Sequence, residues 1–201
     1  MRKLIFTAVG LLTLTLAAYA APVDMVFYGF QAGGWPVGYP YYATVDGGPM
    51  VDIMCDDWVH GGLPGDTWQA NFTNLGSGDL SDLRFNQMPD ALTLYHEAGW
   101  LLLQTRVTQQ WQWRDINFTV WHIFDPSVPL PSPYWLYQAQ REAQLGFPGV
   151  DFNEVGIYTP LDQYDPNPED PQEFLHIVPE PGTVILVVTG LLGAMARKRW
   201  S

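Results

Sequence analysis

Pro89-Asp90-Ala91-Leu92-Thr93-Leu94-Tyr95-His96-Glu97-Ala98-Gly99-Trp100-Leu101-Leu102 is where the chain changes period. Ala91, Leu94, Tyr95, Ala98, Leu101 and Leu102 recur at the three-and-four spacing of a helix with one apolar face, behind Asp90 as its expected cap. A second stripe, Trp113, Ile116, Val120 and Phe124, stops at Asp125-Pro126. A third helix is punctuated by Ser132 as cap, Pro133 in the first turn and Gly146 just past the end.

Upstream of this stretch the pattern is that of strands. Met25-Val26-Phe27-Tyr28-Gly29-Phe30, Tyr41-Tyr42-Ala43-Thr44-Val45 and Thr67-Trp68-Gln69-Ala70-Asn71-Phe72-Thr73 are rich in strand formers, and Asp46-Gly47-Gly48-Pro49 signals a turn. In Val51-Asp52-Ile53-Met54-Cys55-Asp56, side chains alternate between faces, which turns Val51, Ile53 and Cys55 to one side and Cys55 inward. Downstream, Val155 to Thr159 and Phe174 to Val178 close the pattern as strands. Pro160 to Glu173, with its prolines and acids, reads as a loop. The expected fold class is α+β: an antiparallel sheet or barrel-like part made by the early and late segments, with a three-helix unit inserted between them.

Both ends have their own grammar. Arg2-Lys3, an apolar run from Leu4 to about Leu16, and Ala18-Tyr19-Ala20-Ala21 form the basic, apolar and small-x-small parts of a signal peptide, cut by signal peptidase after Ala20, since a cut after Ala21 would leave Pro22 at the new amino terminus. At the other end, Val178-Pro179-Glu180-Pro181-Gly182 precedes an apolar run from Val184 to Ala196 and the cations Arg197-Lys198-Arg199. As a helix that run reaches roughly 20 Å, against roughly 30 Å of hydrocarbon. The three cations stop it on the cytoplasmic side of a membrane. Pro179 and Pro181 keep the backbone ahead of it extended, a shape that a processing enzyme can grip. The expected organisation is therefore a signal peptide at 1–20, one ectodomain at 21–177 and a tail at 178–201 with a transmembrane helix.

This tail resembles the PEP-CTERM sorting domain. The resemblance implies an exosortase-type processing enzyme as partner, a transient hold in the inner membrane, and delivery to the cell surface or extracellular matrix of a Gram-negative bacterium.

The ectodomain is acidic. Between residues 21 and 178, Arg84, Arg106, Arg114 and Arg141 stand against twenty Asp and Glu, a net charge near −16 with no lysine at all. Such a surface repels phosphate backbones, which sets nucleic acid aside as a partner. Cys55 is the one cysteine, so no internal disulfide forms, and the eight ectodomain tryptophans must supply the core instead.

Asn117 is the odd member of the second stripe. It lies four after Trp113 and three before Val120, on the face expected to be buried, where an amide needs a hydrogen-bond partner. An inward thiol on a strand, an inward amide on a later helix and the run Ala98-Gly99-Trp100-Leu101-Leu102 between them together resemble the thioester domains of bacterial surface adhesins. In that family a cysteine bonds covalently to a glutamine, within a motif that corresponds here to Ile116-Asn117-Phe118-Thr119-Val120-Trp121. Asparagine is one methylene shorter, so the pair Cys55 and Asn117 is expected to keep the scaffold and lose the bond. Gln109, Gln110 and Gln112 fall out of register with the motif.

Other signals are weaker. His96-Glu97 lacks a second histidine at Trp100, so no zinc-protease helix is present. A cysteine hydrolase using Cys55 with His96 or His122 is opposed by Asp56 and Asp57, since anionic neighbours hold a thiol protonated. Asp162, Asp165, Glu169 and Asp170 fit a solvated loop better than a calcium site. Trp35, Tyr39, Tyr41 and Tyr42 fit ordinary packing better than a sugar platform. No metal and no cofactor are expected. The expected function is a non-catalytic surface or matrix component that binds a glycan or protein, with a covalent adhesin using Cys55 as the alternative and a secreted cysteine-dependent hydrolase behind it.

Overall fold

The computed structural model describes residues 21–30, 39–161 and 171–178. The expected signal-peptide residues Ala18 and Ala20, sorting residues Pro179, Glu180, Pro181 and Gly182, and membrane stop Arg197, Lys198 and Arg199 lie outside them. So do Trp35 and the acids Asp162, Asp165, Glu169 and Asp170. Ala21 and Val178 are inside.

Six strands close into an antiparallel barrel: β1 (Val23–Phe30), β2 (Tyr41–Val45), β3 (Met50–Cys55), β4 (Thr67–Asn74), β5 (Val155–Pro160) and β6 (Phe174–Ile177), in the order β1-β2-β3-β6-β5-β4. The β2–β3 hairpin turns at Asp46 and Gly47, whose φ values of 51° and 66° suit the Asp-Gly pair. Three helices, α1 (Ala91–Gln104), α2 (Gln110–Phe124) and α3 (Tyr134–Gln144), are inserted between the paired strands β4 and β5. The expected α+β class and the helical insertion are thus both present, and closure of the sheet makes the β part a barrel.

Alternation divides the apolar residues into two cores. Met25, Phe27, Tyr41, Ala43, Ile53, Cys55 and Phe174 fill the barrel, and Phe118, Trp121 and Val128 pack into the same cluster from the helical side. On the outer face of β3, β5 and β6, Met54, Val155, Ile157 and Leu175 meet Tyr95, Ala98, Leu101 and Leu102 of α1 and Ile116 and Val120 of α2. Every residue of β5 is therefore buried, with one face in each core. Each such large side chain contributes about 1.5–3 kcal/mol on burial.

Tight approach fixes the β4–β5 seam. A methyl group on Gly156 would lie 2.7 Å from Phe72 Cζ and 3.0 Å from Val178 Cγ2. Gly156→Ala should therefore cost about 1–3 kcal/mol by overpacking, measurable as an earlier urea midpoint. An unchanged midpoint would show that the Phe72 ring yields freely.

Asp90 departs from expectation. It sits at φ 58° with no side-chain cap bond, and Ala91 N–H donates instead to the Met88 carbonyl at 3.2 Å. At the start of α2, Gln109 N–H donates to Gln112 Oε1 at 3.2 Å, so glutamines out of register for the motif serve as a local cap. At α3 the expected cap is displaced by one residue: Pro133, expected in the first turn, holds the cap position without a side-chain bond, while Ser132 just before it still accepts from Tyr134 N–H at 3.3 Å. Gly146 follows the helix at φ 73°, as expected.

Candidate functional site

Cys55 ends β3 and is fully buried, facing into the barrel. Its thiol donates to the Asp57 carbonyl at 3.0 Å. Asn117, also fully buried, reaches across from α2, and its amide nitrogen donates to the Cys55 carbonyl at 2.7 Å. The inward thiol and the inward amide read from the sequence are thus brought together. Two polar atoms beside them lack partners among the described residues: the Asn117 side-chain oxygen and the Trp121 indole N–H. The indole favours the thiolate without forming a hydrogen bond of ordinary geometry to the sulfur. Burial nevertheless pushes the Cys55 thiol well above the usual cysteine range, and the Asp56 and Asp57 carboxyls add to that. Both effects favour the protonated thiol over the thiolate.

A short loop covers the sulfur. Asp57 Oδ1 accepts from Val59 N–H at 3.0 Å and His60 N–H at 3.3 Å, while Oδ2 meets His60 Nδ1 at 2.6 Å and the Arg84 guanidinium. Arg84 also donates to the Pro171 carbonyl at 2.9 Å, and Gln172 Nε2 donates to the Asp57 carbonyl at 3.0 Å and to that of His60. Trp58, half exposed, lies against Trp121 and Phe118 with ring centroids 4.8 and 5.9 Å away, and the Arg114 guanidinium sits over Phe118 at 5.4 Å.

The histidines considered for a hydrolase are committed elsewhere. His96 stacks on Phe152 at 4.0 Å, and His122 Nδ1 donates to the Val128 carbonyl at 2.7 Å. Among the described residues no group of three or more His, Cys, Asp or Glu side chains is placed to hold a metal ion.

On the opposite face of the same strands lies a polar cluster that the sequence did not disclose. Glu173, read as the end of a loop, is fully buried beside Asp56. Its Oε1 accepts from Tyr95 OH at 2.6 Å, and Oε2 accepts from Arg84 N–H at 2.9 Å and from Thr159 OH. Asp56 is equally buried, and neither of its carboxyl oxygens has a donor among the described residues. The available signal was period two: with Cys55 inward, Asp56 must point outward toward the helices.

Val178 N–H donates to the Glu154 carbonyl at 2.8 Å, so the barrel ends where the tail begins. From that residue the PEP-CTERM protein-sorting motif matches, over residues 178–199. The chain carries a sorting signal. The motif implies an exported protein that an exosortase-type enzyme processes at the membrane on its way to the surface.

Solved structures similar to this chain include the N-terminal thioester domain of a surface protein from Clostridium perfringens, at 11% identity and TM-score 0.46, covering 78% of this chain and 98% of that one. The N-terminal thioester domain of the fibronectin-binding protein SfbI from Streptococcus pyogenes is similar at 12% and 0.46, covering 79% and 94%. The N-terminal domain of the Streptococcus pyogenes pilus tip adhesin Cpa stands at 10% and 0.46, covering 78% and 93%. No curated protein matches the chain.

Proposed function

We propose that this protein is a non-catalytic component of the cell surface or extracellular matrix, whose ectodomain binds a glycan or protein ligand without a covalent bond. Signal peptidase removes the leader after Ala20. The tail is held in the inner membrane by its apolar helix and Arg197-Lys198-Arg199 until an exosortase-type enzyme cuts near Pro179-Glu180-Pro181.

The observation that carries the non-covalent reading is the bonding of the fully buried pair: Asn117 donates its amide N–H to the Cys55 carbonyl, and the Cys55 S–H donates to the Asp57 backbone carbonyl. A thioester would require the thiolate to attack the amide carbon and expel ammonia. Here the sulfur is held protonated, and the shorter side chain is spent on a backbone bond. Cys55 and Asn117 act as a clamp that ties α2 to the end of β3.

The covalent alternative has one observation in its favour. The Trp121 N–H, without a partner among the described residues, favours negative charge at the sulfur.

Intact mass of the protein recovered from its bacterium's surface or medium decides between them. The expected chain starts at Ala21, ends near the Pro-Glu-Pro segment and shows no ammonia deficit. A deficit of one ammonia that Cys55→Ala abolishes would replace the clamp with a covalent adhesin. A mass that retains the tail would sink the processing step.

A further inference from the structure

We infer that Asp56 and Glu173 hold a single proton between them, and that this proton latches the Asp56–His60 loop over Cys55. Both carboxyls are fully buried and leave neighbouring strands at paired backbone positions, on the helix-facing side of the barrel. Adjacent backbone joins them as well, since Asp56 N–H donates to the Glu173 carbonyl at 3.4 Å.

Their surroundings are unequal. Glu173 accepts from Tyr95 OH, Thr159 OH and Arg84 N–H, a donor set that satisfies a carboxylate. Among the described residues Asp56 receives no donor, and an ionised carboxylate without donors in such a site is far more costly than a neutral acid. The proton therefore stays on Asp56 and is donated to Glu173. Among the described residues, the other charged or titratable groups facing the pair are Asp57, whose charge repels a second anion, Arg84, whose guanidinium is engaged by Asp57, and the Tyr95 hydroxyl. Burial pushes Asp56 well above the usual carboxylate range, and Glu173 pushes it further.

The consequence is mechanical. Asp56 joins β3 to the loop whose Asp57 carbonyl receives the Cys55 thiol. Loss of the shared proton leaves two carboxylates side by side in a buried site, and their repulsion works against the bonds that pin the Asp56–His60 loop, so a minor form with the loop swung outward gains population. The closed form binds a proton that the open form releases, so opening increases as pH rises, by up to about tenfold per pH unit.

The test is maleimide labelling of Cys55 in the folded full-length protein between pH 6 and 9, wild type against Asp56→Asn. This variant keeps a neutral donor toward Glu173. Because ionisation of the thiol itself affects both proteins, the ratio of their rates isolates the latch. The expected ratio, wild type over variant, climbs with pH; a flat ratio overturns the inference.

Labelling requires that Cys55 be a free thiol, as proposed above, so a second readout avoids the sulfur. Exchange of the Val59 and His60 amides, both bonded to Asp57, should accelerate with pH beyond the intrinsic rate in wild type and not in Asp56→Asn. The infrared carboxylic-acid band at neutral pH tests the proton directly. It is read in a Glu97→Gln background, because burial also lifts Glu97 to about 7. Presence of the band supports the shared proton and its absence removes it, whether or not Asp56→Asn folds.

Discussion

Glu173→Ala is expected to remove about 3–5 kcal/mol of stability, seen as a large fall in the urea midpoint with an unchanged slope. The carboxylate is the node at which four parts of the chain meet. Tyr95 comes from α1, Thr159 from β5, Arg84 from the segment between β4 and α1, and Glu173 itself leads into β6. Each donor left unsatisfied in a buried site costs about 1–3 kcal/mol, less whatever water entering the cavity restores. Asp56 would lose the acceptor for its proton in the same step. Domains of this size have about 5–15 kcal/mol in total, so the variant should be marginal at 37 °C. Glu173→Gln separates charge from shape. It keeps one acceptor oxygen but turns an amide toward donors, and should lose roughly half as much. A loss below about 1 kcal/mol for Glu173→Ala would show that the donors have other partners and that the node does not exist.

The difference between what was legible in the sequence and what was not is visible at this same place. Local signals located all six strands and three helices: burial on one face imposed period two on β3 and three-and-four spacing on α1 and α2, strand-forming residues marked the other strands, and Ser132, Pro133 and Gly146 bracketed α3. It also turned Cys55 inward and put Asn117 on the buried stripe, so both halves of the clamp were readable. Barrel closure was not. β6 inserts between β3 and β5, and the pairing of Cys55 with Phe174 spans most of the chain, with nothing in either segment to announce the other. Glu173 was unreadable for a related reason: it follows an acidic, proline-rich stretch, and only the closed barrel brings Tyr95 and Thr159 to it. Asp90 misled because the chain before α1 already runs in tight turns, with Leu83 N–H bonded to the Leu80 carbonyl and Met88 N–H to that of Phe85. The helix N-terminus is then satisfied by backbone, and a side-chain cap is redundant.

Asn117→Asp is expected to be the most damaging conservative change in the protein, costing about 3–5 kcal/mol at neutral pH. Shape is unchanged, so packing alone predicts tolerance. The chemistry is reversed: an amide that donates to the Cys55 carbonyl becomes a carboxylate with no proton to give, fully buried against a carbonyl oxygen. The variant's carboxyl should therefore be pushed up in the folded state relative to the unfolded one. The folded form then binds a proton that the unfolded form releases, so stability is regained as pH falls and lost as pH rises. Asn117→Ala lacks that titration and should cost about 2–4 kcal/mol at every pH, from the orphaned carbonyl and the space left behind. Comparing the two from pH 4 to 8 separates the roles. A pH-dependent Asp variant beside a pH-independent Ala variant identifies the donated hydrogen bond as what ties α2 to β3. If both variants unfold at the wild-type midpoint, the clamp fails, and Cys55 and Asn117 are merely neighbours in a well-packed core.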